Sequence, residues 1–254
     1  MWLSSGDCNK IQLPAIVLFS ISSQAMCGRY ALYGPQSRYK ETFSTENDLD
    51  FGPRYNIAPS QVVPVVRADD KGSRIFTLAQ WGLIPSWAKD ADNLPKPINA
   101  KSETAAIKPM FRHAFRKSRV LIPATAFYEW KVIAGKKQPF LIHMKDGEPF
   151  GMAGLLEFWM SPTGAIATFT ILTTTPNALM AGIHDRMPVI VSPANYAEWL
   201  DPALTDVAHL QSMVGPYPER LMAVYPVSTS VNSPAHEGVE LVEPRNLQKA
   251  KELN

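Results

Sequence analysis

The sequence predicts an α+β fold, a single domain with a largely antiparallel, barrel-like β core and a few short peripheral helices. Three observations support this fold class. Strand-like segments outnumber helical ones and do not alternate with them. The dipeptides Lys71-Gly72 and Asp146-Gly147 are typical of hairpin turns. The 22 prolines among 254 residues exceed the usual share of about 5% and favour short elements, because proline is confined to helix starts, edges and turns.

Each predicted strand is a short apolar run bounded by Gly, Pro or Asp. In chain order these runs are 62–67, 74–81, 120–123, 140–144, 151–156, 168–173, 189–191 and 221–227. The predicted helices are fewer and lie at 36–43, 110–117 and 205–214. A fourth helix is predicted to run to Leu200, because Ser192 supplies an N-cap and Pro193 suits the first helical position.

Composition and charge limit the class of protein. Hydrophobic residues make up 46% of the chain and charged residues 19%, which excludes a disordered protein. The net charge of +2 excludes a uniformly cationic nucleic-acid coat but leaves a local basic groove open. Cys8 and Cys27 are too few for a disulfide framework or a Cys-rich zinc site. The five histidines lack metal-type spacing, so we expect neither a metal nor a cofactor.

Residues 1–25 differ from the rest of the chain. Their apolar run, 13–21, is shorter than the roughly 20 residues that span a bilayer, so we expect no membrane span. The run and the small residues at 23–25 resemble a weak secretory signal, but Asp7 offsets Lys10 and removes the positive charge that such signals carry. We therefore expect residues 1–25 to lie outside the mature protein, either because the start was mis-assigned or because they are removed. Met26 is then the expected initiator, and residues 26–254 form one domain.

The segment Met26-Cys27-Gly28-Arg29-Tyr30 carries the first candidate site residue. Removal of an initiating Met26 would leave Cys27 with a free α-amine beside its thiol. The reference pKa of such an amine, about 7.7–8.0, leaves part of it neutral and nucleophilic at pH 7. A 1,2-aminothiol condenses with an aldehyde to a Schiff base and then to a thiazolidine, which an internal cysteine cannot do. The alternative is a buried free cysteine that packs as a small hydrophobe.

A polar run at 99–104 follows an apolar dipeptide. Asn99 offers an amide that can orient a small polar group, and Lys101 lies two residues further on. Between Asn99 and Arg119 there are six basic residues and one acidic residue, a density that suits a phosphate backbone. For the part from 112 to 119, a solvated helix face is the alternative.

Glu129 lies between Tyr128 and Trp130 in a segment flanked by apolar residues. Apolar surroundings raise the pKa of a carboxyl, so Glu129 can act as a general acid near neutral pH. The alternative is a surface glutamate on an edge strand, paired with Lys131.

The run 182–188 places His184, Asp185 and Arg186 side by side. His184 is a candidate acid/base, Asp185 can orient or charge the imidazole, and Arg186 suits a phosphate. The segment is predicted to be a loop between a helix and a strand, where functional residues concentrate. A local turn network is the alternative.

Two further polar or aromatic features are candidates for binding. Trp87 lies in a loop that contains Pro and Ser, where an exposed indole can stack on or wedge against a base. A core anchor is the alternative, and Trp81 fits it equally well. The compact turn predicted at 54–59 leaves Asn56 able to hydrogen-bond locally.

Taken in order, seven segments resemble the SRAP family, the abasic-site processing proteins first named SOS-response-associated peptidases. The segments are MCGRY, RYNIAPSQ, WGLIPSW, NAKSET, FYEW, KKQPF and IHDRMPVI. The resemblance runs from Met26 to about Leu241 and follows the family order. It implies a single α+β domain with a barrel-like core and a positively charged groove for single-stranded DNA.

The resemblance also implies a self-reaction, in which the N-terminal cysteine captures the ring-opened aldehyde of an abasic site as a stable thiazolidine. Carried over residue by residue, Cys27 is the nucleophile and Asn99 helps to position and polarise the sugar. Glu129 is the acid/base that assists ring opening and condensation. His184 assists Schiff-base chemistry and crosslink reversal.

Five further residues are expected to bind DNA. Arg29, Lys101 and Arg186 resemble the family's phosphate-contacting positions, and Trp87 resembles its aromatic loop. Asn56 is included because its side chain can hydrogen-bond locally. Two departures from the family pattern bear on these contacts. Lys101 stands where the family often has Arg, so a single ammonium group replaces a planar guanidinium with its several N–H donors. Ala88 stands where some members carry a second aromatic residue, so we expect this loop to disrupt base stacking less strongly.

The resemblance therefore implies an enzyme of the DNA damage and SOS response that crosslinks itself to abasic sites, with lyase-like Schiff-base chemistry and an associated autopeptidase activity. Its expected partner is single-stranded DNA containing abasic sites, and we expect a cytoplasmic monomer with no membrane or metal partner. Two alternatives stay open. One is a thiol autopeptidase with an N-terminal cysteine nucleophile, and the other is a non-catalytic binder of single-stranded DNA.

Overall fold

Short strands dominate the structure, a computed structural model that describes residues 27–246. The strands are β1 (Tyr30–Leu32), β2 (Arg54–Ile57), β3 (Val62–Ala68), β4 (Arg74–Trp81), β5 (Asn99–Lys101), β6 (Arg119–Ala124), β7 (Ala126–Ile133), β8 (Lys136–Met144), β9 (Phe150–Ser161), β10 (Gly164–Thr174), β11 (Met187–Pro188), β12 (Ile190–Val191) and β13 (Met222–Pro226). The α-helices are α1 (Gln36–Phe43), α2 (Ser102–Ala105), α3 (Arg112–Lys117), α4 (Ala178–Ala181), α5 (Tyr196–Leu200) and α6 (Val207–Ser212). The predicted fold class, with more sheet than helix, is confirmed.

Five of these strands close into a barrel. β3 pairs antiparallel with β4 and β6, and β9 pairs antiparallel with β6 and β10. β10 then returns to β4 in parallel, with Thr168 opposite Gln80 and Phe169 opposite Trp81. At this junction the buried rings of Trp81 and Phe169 stack with their centroids 6.1 Å apart. The predicted barrel-like core is thus confirmed, and its one parallel junction closes the ring without a free edge.

A second sheet, in the order β13-β8-β7-β1-β2, packs one face against the barrel core. Phe127 of β7 belongs to the main core, whereas Tyr128 belongs to a smaller cluster on the opposite face, together with Leu141 and Val227. Successive side chains of a strand point to opposite faces. Glu129 therefore lies on the same face as Phe127, the face turned toward the barrel.

Most differences from the predicted elements involve segments held by distant partners. The stretch 54–59, predicted to be a compact turn, is mostly strand β2; the prediction was wrong because Ile57 pairs with Tyr30 and Arg54 pairs with Leu32. β1, β5 and β7 were also absent from the predicted strands. β1 has only three residues, and polar residues interrupt β5 and β7. By contrast, α1 and β4 have the predicted bounds.

The helix predicted to begin at Ser192 begins differently. Its first turn is a 3₁₀ helix, Pro193–Asn195, and α5 follows it. The side chain of Ser192 makes no capping hydrogen bond, although Pro193 does occupy the first turn. The predicted extension, residues 1–25, and the predicted initiator Met26 lie outside the described residues.

Replacing Gly154 with alanine is expected to destabilise the barrel. Gly154 lies on β9 between β6 and β10, and a Cβ there would come within 2.2 Å of Ile122 Cδ1 and 2.9 Å of the carbonyl oxygen of Thr170. The side chain of Ile122 can move, but the backbone of Thr170 cannot, so we expect a loss of about 1–3 kcal/mol in the free energy of unfolding.

Urea denaturation of this variant measures that loss. The matched control is Gly215→Ala, because a Cβ at the exposed Gly215 meets no atom within 4 Å. Equal midpoints for the two variants would contradict the tight packing of Gly154.

Candidate functional site

Cys27 is the residue around which the candidate site is built. It lies three residues before Tyr30, the first residue of β1, is only 3% exposed, and its backbone nitrogen donates a hydrogen bond to Glu129 Oε1 at 2.7 Å. Its φ of 44° lies in the left-handed region, which costs a non-glycine residue about 1–2 kcal/mol. Burial, the expected property of a small hydrophobe, is therefore combined here with a direct contact to an ionisable group.

Glu129 reaches Cys27 because β1 and β7 are neighbours, with Tyr30 opposite Phe127. The side chain of Glu129 is 1% exposed. Burial raises the pKa of its carboxyl, while the nearby His184 and hydrogen bonds from Cys27 oppose that rise. The alternative of a surface glutamate paired with Lys131 is therefore wrong, and a carboxyl in buried surroundings is what the structure contains.

The thiol of Cys27 shares this environment. Burial is the main cause that raises its pKa, and the charge and hydrogen bond of Glu129 raise it further, whereas Arg186 lowers it. The thiol is therefore protonated at neutral pH. One carboxyl contacts both the nitrogen and the sulfur of the same residue, and this arrangement allows proton exchange with either atom.

His184 follows α4, whose first turn is capped by the side chain of Asn177. Its backbone nitrogen donates to the carbonyl of Met180 at 2.9 Å. The imidazole Nδ1 lies 3.0 Å from Asp185 Oδ1 and 3.1 Å from the backbone nitrogen of Arg186. The predicted turn network is therefore present, and the imidazole also acts electrostatically on Glu129.

The buried side chain of Arg186 is clamped between the exposed carboxylate of Glu103 and the buried Thr173. Its Nη1 and Nη2 donate to the two carboxylate oxygens of Glu103 at 2.6 and 2.8 Å, and Nη2 also donates to the carbonyl of Thr173 at 2.6 Å. Its Nε is buried and has no hydrogen-bond partner among the described residues. Glu103 balances the positive charge of Arg186. The Nε–H group of Arg186 is therefore still available as a hydrogen-bond donor.

The sequence did not assign roles to Glu103 or Thr173. Glu103 is the one acid in the basic run, and its carboxyl has a pKa lowered mainly by the hydrogen bond from Arg186. Thr173 ends a predicted strand, but nothing in the sequence indicates that it meets Arg186.

Asn99 and Lys101 begin and end β5, which pairs in parallel with β10. Asn99 lies opposite Ile171, and Lys101 lies opposite Thr173, the residue that also contacts Arg186. The side chain of Lys101 is exposed, and its charge helps to lower the pKa of Glu103. The pairing of β5 with β10 thus brings the polar run at 99–104 next to the loop that carries His184 and Arg186.

Arg29 and Asn56 form a second cluster. Arg29 Nη1 donates to Asn56 Oδ1 at 2.8 Å and to the carbonyl of Val231 at 2.6 Å. Burial lowers the pKa of Arg29. Asn56 is fully buried, and its amide donates to the carbonyls of Ser233 and His236. In this conformation the side chain of Asn56 positions Arg29 from the interior.

Trp87 and Trp81 differ in their environments. Trp81 is a core residue, as the alternative predicted, whereas Trp87 is 59% exposed. The loop that carries Trp87 is fixed by a hydrogen bond from Trp159 Nε1 to the carbonyl of Ala88 at 2.7 Å. Ala88 itself is buried in a small apolar cluster with Ile84, so a large aromatic side chain there would require repacking.

The basic run from 99 to 119 divides into exposed and buried members. Arg119 is buried and donates to five backbone carbonyls, including those of Phe115 and Trp199, so it holds structure together. A shallow pocket of about 420 Å³ is lined by the neighbouring exposed or half-buried side chains Arg112, His113, Arg116, Lys117 and Thr205. The exposed members form a solvated face, as the alternative predicted, whereas phosphate binding by this run stays a prediction.

Within residues 27–246 no group of three or more His, Cys, Asp or Glu residues could hold a metal ion. Over the same residues, every helix is too short or too polar to cross a membrane.

Comparison with known proteins gives consistent matches. The model of one family, SOS response associated peptidase (SRAP), matches residues 26–234. The abasic site processing protein YoqW of Bacillus subtilis is 44% identical over 223 residues, which are 86% of this chain and 99% of that protein. The abasic site processing protein YedK of Escherichia coli is 30% identical over 230 residues, 86% of this chain and 100% of that protein.

A solved structure is also similar. The crystal structure of a protein from Bacteroides thetaiotaomicron matches with a TM-score of 0.79 and 25% sequence identity. The match covers 87% of this chain and 100% of that one.

Proposed function

Because the chain belongs to the SOS response associated peptidase (SRAP) family, we propose that it binds single-stranded DNA and crosslinks itself to abasic sites. The bond formed is a thiazolidine between Cys27 and the ring-opened aldehyde of the abasic sugar. The observation that carries this proposal is the 2.7 Å contact between the Cys27 nitrogen and the buried carboxyl of Glu129. A carboxyl at that distance can remove a proton from an amine and return it to a leaving oxygen.

The reaction balances with one water lost. The neutral amine of Cys27 adds to the aldehyde carbon to form a carbinolamine. Loss of its hydroxyl as water gives the Schiff base, and the thiol sulfur then adds to the same carbon, while the thiol proton ends on the nitrogen. The thiol is neutral because burial and Glu129 raise its pKa, so its proton must leave as the carbon–sulfur bond forms.

Three residues assist this sequence. Glu129 accepts the amine proton and donates a proton to the leaving hydroxyl, a role supported by its burial and raised pKa. His184 supports Schiff-base formation and reversal through its electrostatic effect on Glu129. Asn99, at the start of β5, orients the sugar.

The DNA contacts follow from charge and exposure. Arg29 and Lys101 supply positive charge to the phosphates, and Asn56 acts from the interior by holding Arg29. Arg186 offers its Nε–H to a bound oxygen, since Glu103 already balances its charge. The exposed indole of Trp87 stacks on or wedges against a base.

Ring closure explains why the strand is protected. A bare Schiff base at an abasic site promotes β-elimination and strand cleavage, and addition of the thiol removes the iminium that drives it. The mechanism requires a free amine on Cys27, hence removal of every residue before it. The left-handed φ of Cys27 supports this requirement, because a first residue has no preceding peptide to strain. We place the reaction on DNA in the cytoplasm, carried out by a monomer.

Incubation with a single strand that bears one abasic site tests the proposal. We expect an adduct that survives denaturation, with the mass of protein plus DNA less one water, and none with an intact strand. The intact mass of the protein should begin at Cys27.

Other outcomes would contradict the proposal. Salt-sensitive binding without an adduct would support a non-catalytic binder. Thiol-dependent cleavage of unrelated peptides without an adduct would support the autopeptidase.

A further inference from the structure

We infer that the β7–β8 hairpin is a phosphate-binding arm that follows the DNA strand away from the abasic site. Its contacting side chains are Lys131 and Lys136. The inference rests on the proposed function and adds to it a direction and two binding residues.

The pairing register places these lysines on the face that carries Glu129. In β7 and β8, Glu129 lies opposite Phe140, Lys131 opposite Gln138, and Ile133 opposite Lys136. Directly opposed residues share a face, and alternate residues along a strand share it as well. The face that bears the buried carboxyl therefore continues outward as a surface bearing two ammonium groups.

The spacing suits a nucleic-acid backbone. Two residues along an antiparallel strand advance about 7 Å, so Lys131 stands about 7 Å from Glu129 and Lys136 about twice as far. Successive phosphates of an extended single strand are separated by a similar distance. A strand whose abasic sugar lies at Glu129 would present one phosphate to Lys131 and the next to Lys136.

The charge on this face is available to a ligand. Lys131 and Lys136 are exposed, and neither takes part in any ion pair among the described residues. Over residues 27–246, their positive charge therefore has no carboxylate partner in an ion pair. If Lys131 and Lys136 were only solvated surface residues, they could lie on either face of the hairpin. Both lie on the face that carries Glu129.

The other face of the hairpin is occupied near its base. Trp130 Nε1 donates to Asn232 Oδ1 at 2.7 Å, and the Trp130 ring packs against the apolar cluster that contains Val227 and Val231. Lys137 belongs to this opposite face, since it lies across from Val132. DNA that leaves the site therefore meets Lys131 and Lys136 and not Lys137.

The turn keeps the hairpin in register to its tip. Ala134 and Gly135 have φ values of 48° and 77°. A two-residue hairpin turn of type I′ requires positive φ at both of these central positions. Ile133 and Lys136 flank this turn directly. Lys136 is thus held at a fixed distance from the site.

Equilibrium binding measures this arm without requiring the covalent reaction. The probes are single strands with one tetrahydrofuran abasic analogue, which lacks the aldehyde, placed at the centre, at the 5′ end or at the 3′ end. We expect the double variant Lys131→Ala/Lys136→Ala of the full chain to weaken binding to the central probe and to only one of the end probes. The slope of log affinity against log salt should fall by about 1.4, so that the wild-type advantage shrinks about sevenfold between 50 and 200 mM salt.

Lys137→Ala is the matched control for Lys136→Ala, because the two lysines are adjacent and the change in charge is the same. We expect Lys137→Ala to bind like the wild type. Equal losses for these two variants, or a double variant that weakens both end probes alike, would overturn the inference and leave the proposed function standing. Wild-type protein that binds none of the probes would overturn the proposed function and the inference with it.

Discussion

Replacing Cys27 with alanine is expected to abolish the denaturation-resistant adduct while preserving a Schiff base. Alanine is small enough to allow removal of a preceding initiator methionine, so the variant keeps the α-amine and loses only the thiol. The amine can still condense with the aldehyde, but no sulfur is present to close the ring. Reduction with borohydride should therefore trap the variant on the strand, whereas the untreated complex should dissociate on denaturation.

The same variant is expected to convert a protective protein into a strand-cleaving one. With the Schiff base left open, β-elimination can proceed, and cleavage at the abasic site should exceed that seen with the wild type. The control is a chain that retains residues before Cys27, in which the amine is an amide and neither trapping nor cleavage should occur. A stable adduct formed by Cys27→Ala would contradict the role of the thiol.

The sequence predicted the parts of the fold that local pattern determines. The strand Arg74–Trp81 is a continuous run of strand-forming residues between turn signals, and its bounds were predicted correctly. β5 and β7 were not predicted, since Asn99 and Lys101 are polar and Glu129 interrupts an apolar segment. Their strand conformation comes from pairing with β10 and with β1 and β8, which local pattern does not contain.

The candidate site shows the same division between local and distant information. Residue chemistry and the family resemblance pointed to Cys27 and Glu129, but their contact joins positions 102 residues apart and depends on the β1–β7 pairing. The burial of some polar residues was likewise beyond the reach of the sequence. Asn56 and Arg119 look like surface polar residues, yet each is buried because backbone carbonyls from distant segments converge on its donors.

Replacing Glu129 with glutamine is expected to slow crosslink formation by about 100-fold or more, the usual size of a general acid–base contribution. Glutamine keeps the shape of the side chain and an oxygen that can accept the hydrogen bond from the Cys27 nitrogen. It cannot take up the amine proton or deliver a proton to the leaving hydroxyl. Single-turnover measurements on abasic single strands give the rate, and Glu148→Gln, which alters an exposed ion pair with Arg38, is the control that should react like the wild type.

The pH profile separates a catalytic role of Glu129 from a structural one. Burial raises the pKa of Glu129, so the wild-type rate should fall on acidification at a higher pH than an ordinary carboxyl would cause. Glu129→Gln should lose this decrease in rate on acidification and retain only the pH dependence that comes from protonation of the α-amine.

Stability should change in the opposite direction to activity. A carboxyl whose pKa is higher in the folded than in the unfolded state binds more protons when folded, so it destabilises the fold as pH rises from its unfolded pKa through its folded pKa. Glu129→Gln removes that cost and should be at least as stable as the wild type at neutral pH, with the difference shrinking toward pH 4. A variant that crosslinks slowly only because it unfolds would be less stable at every pH, and that result would assign Glu129 to the structure instead of to the reaction.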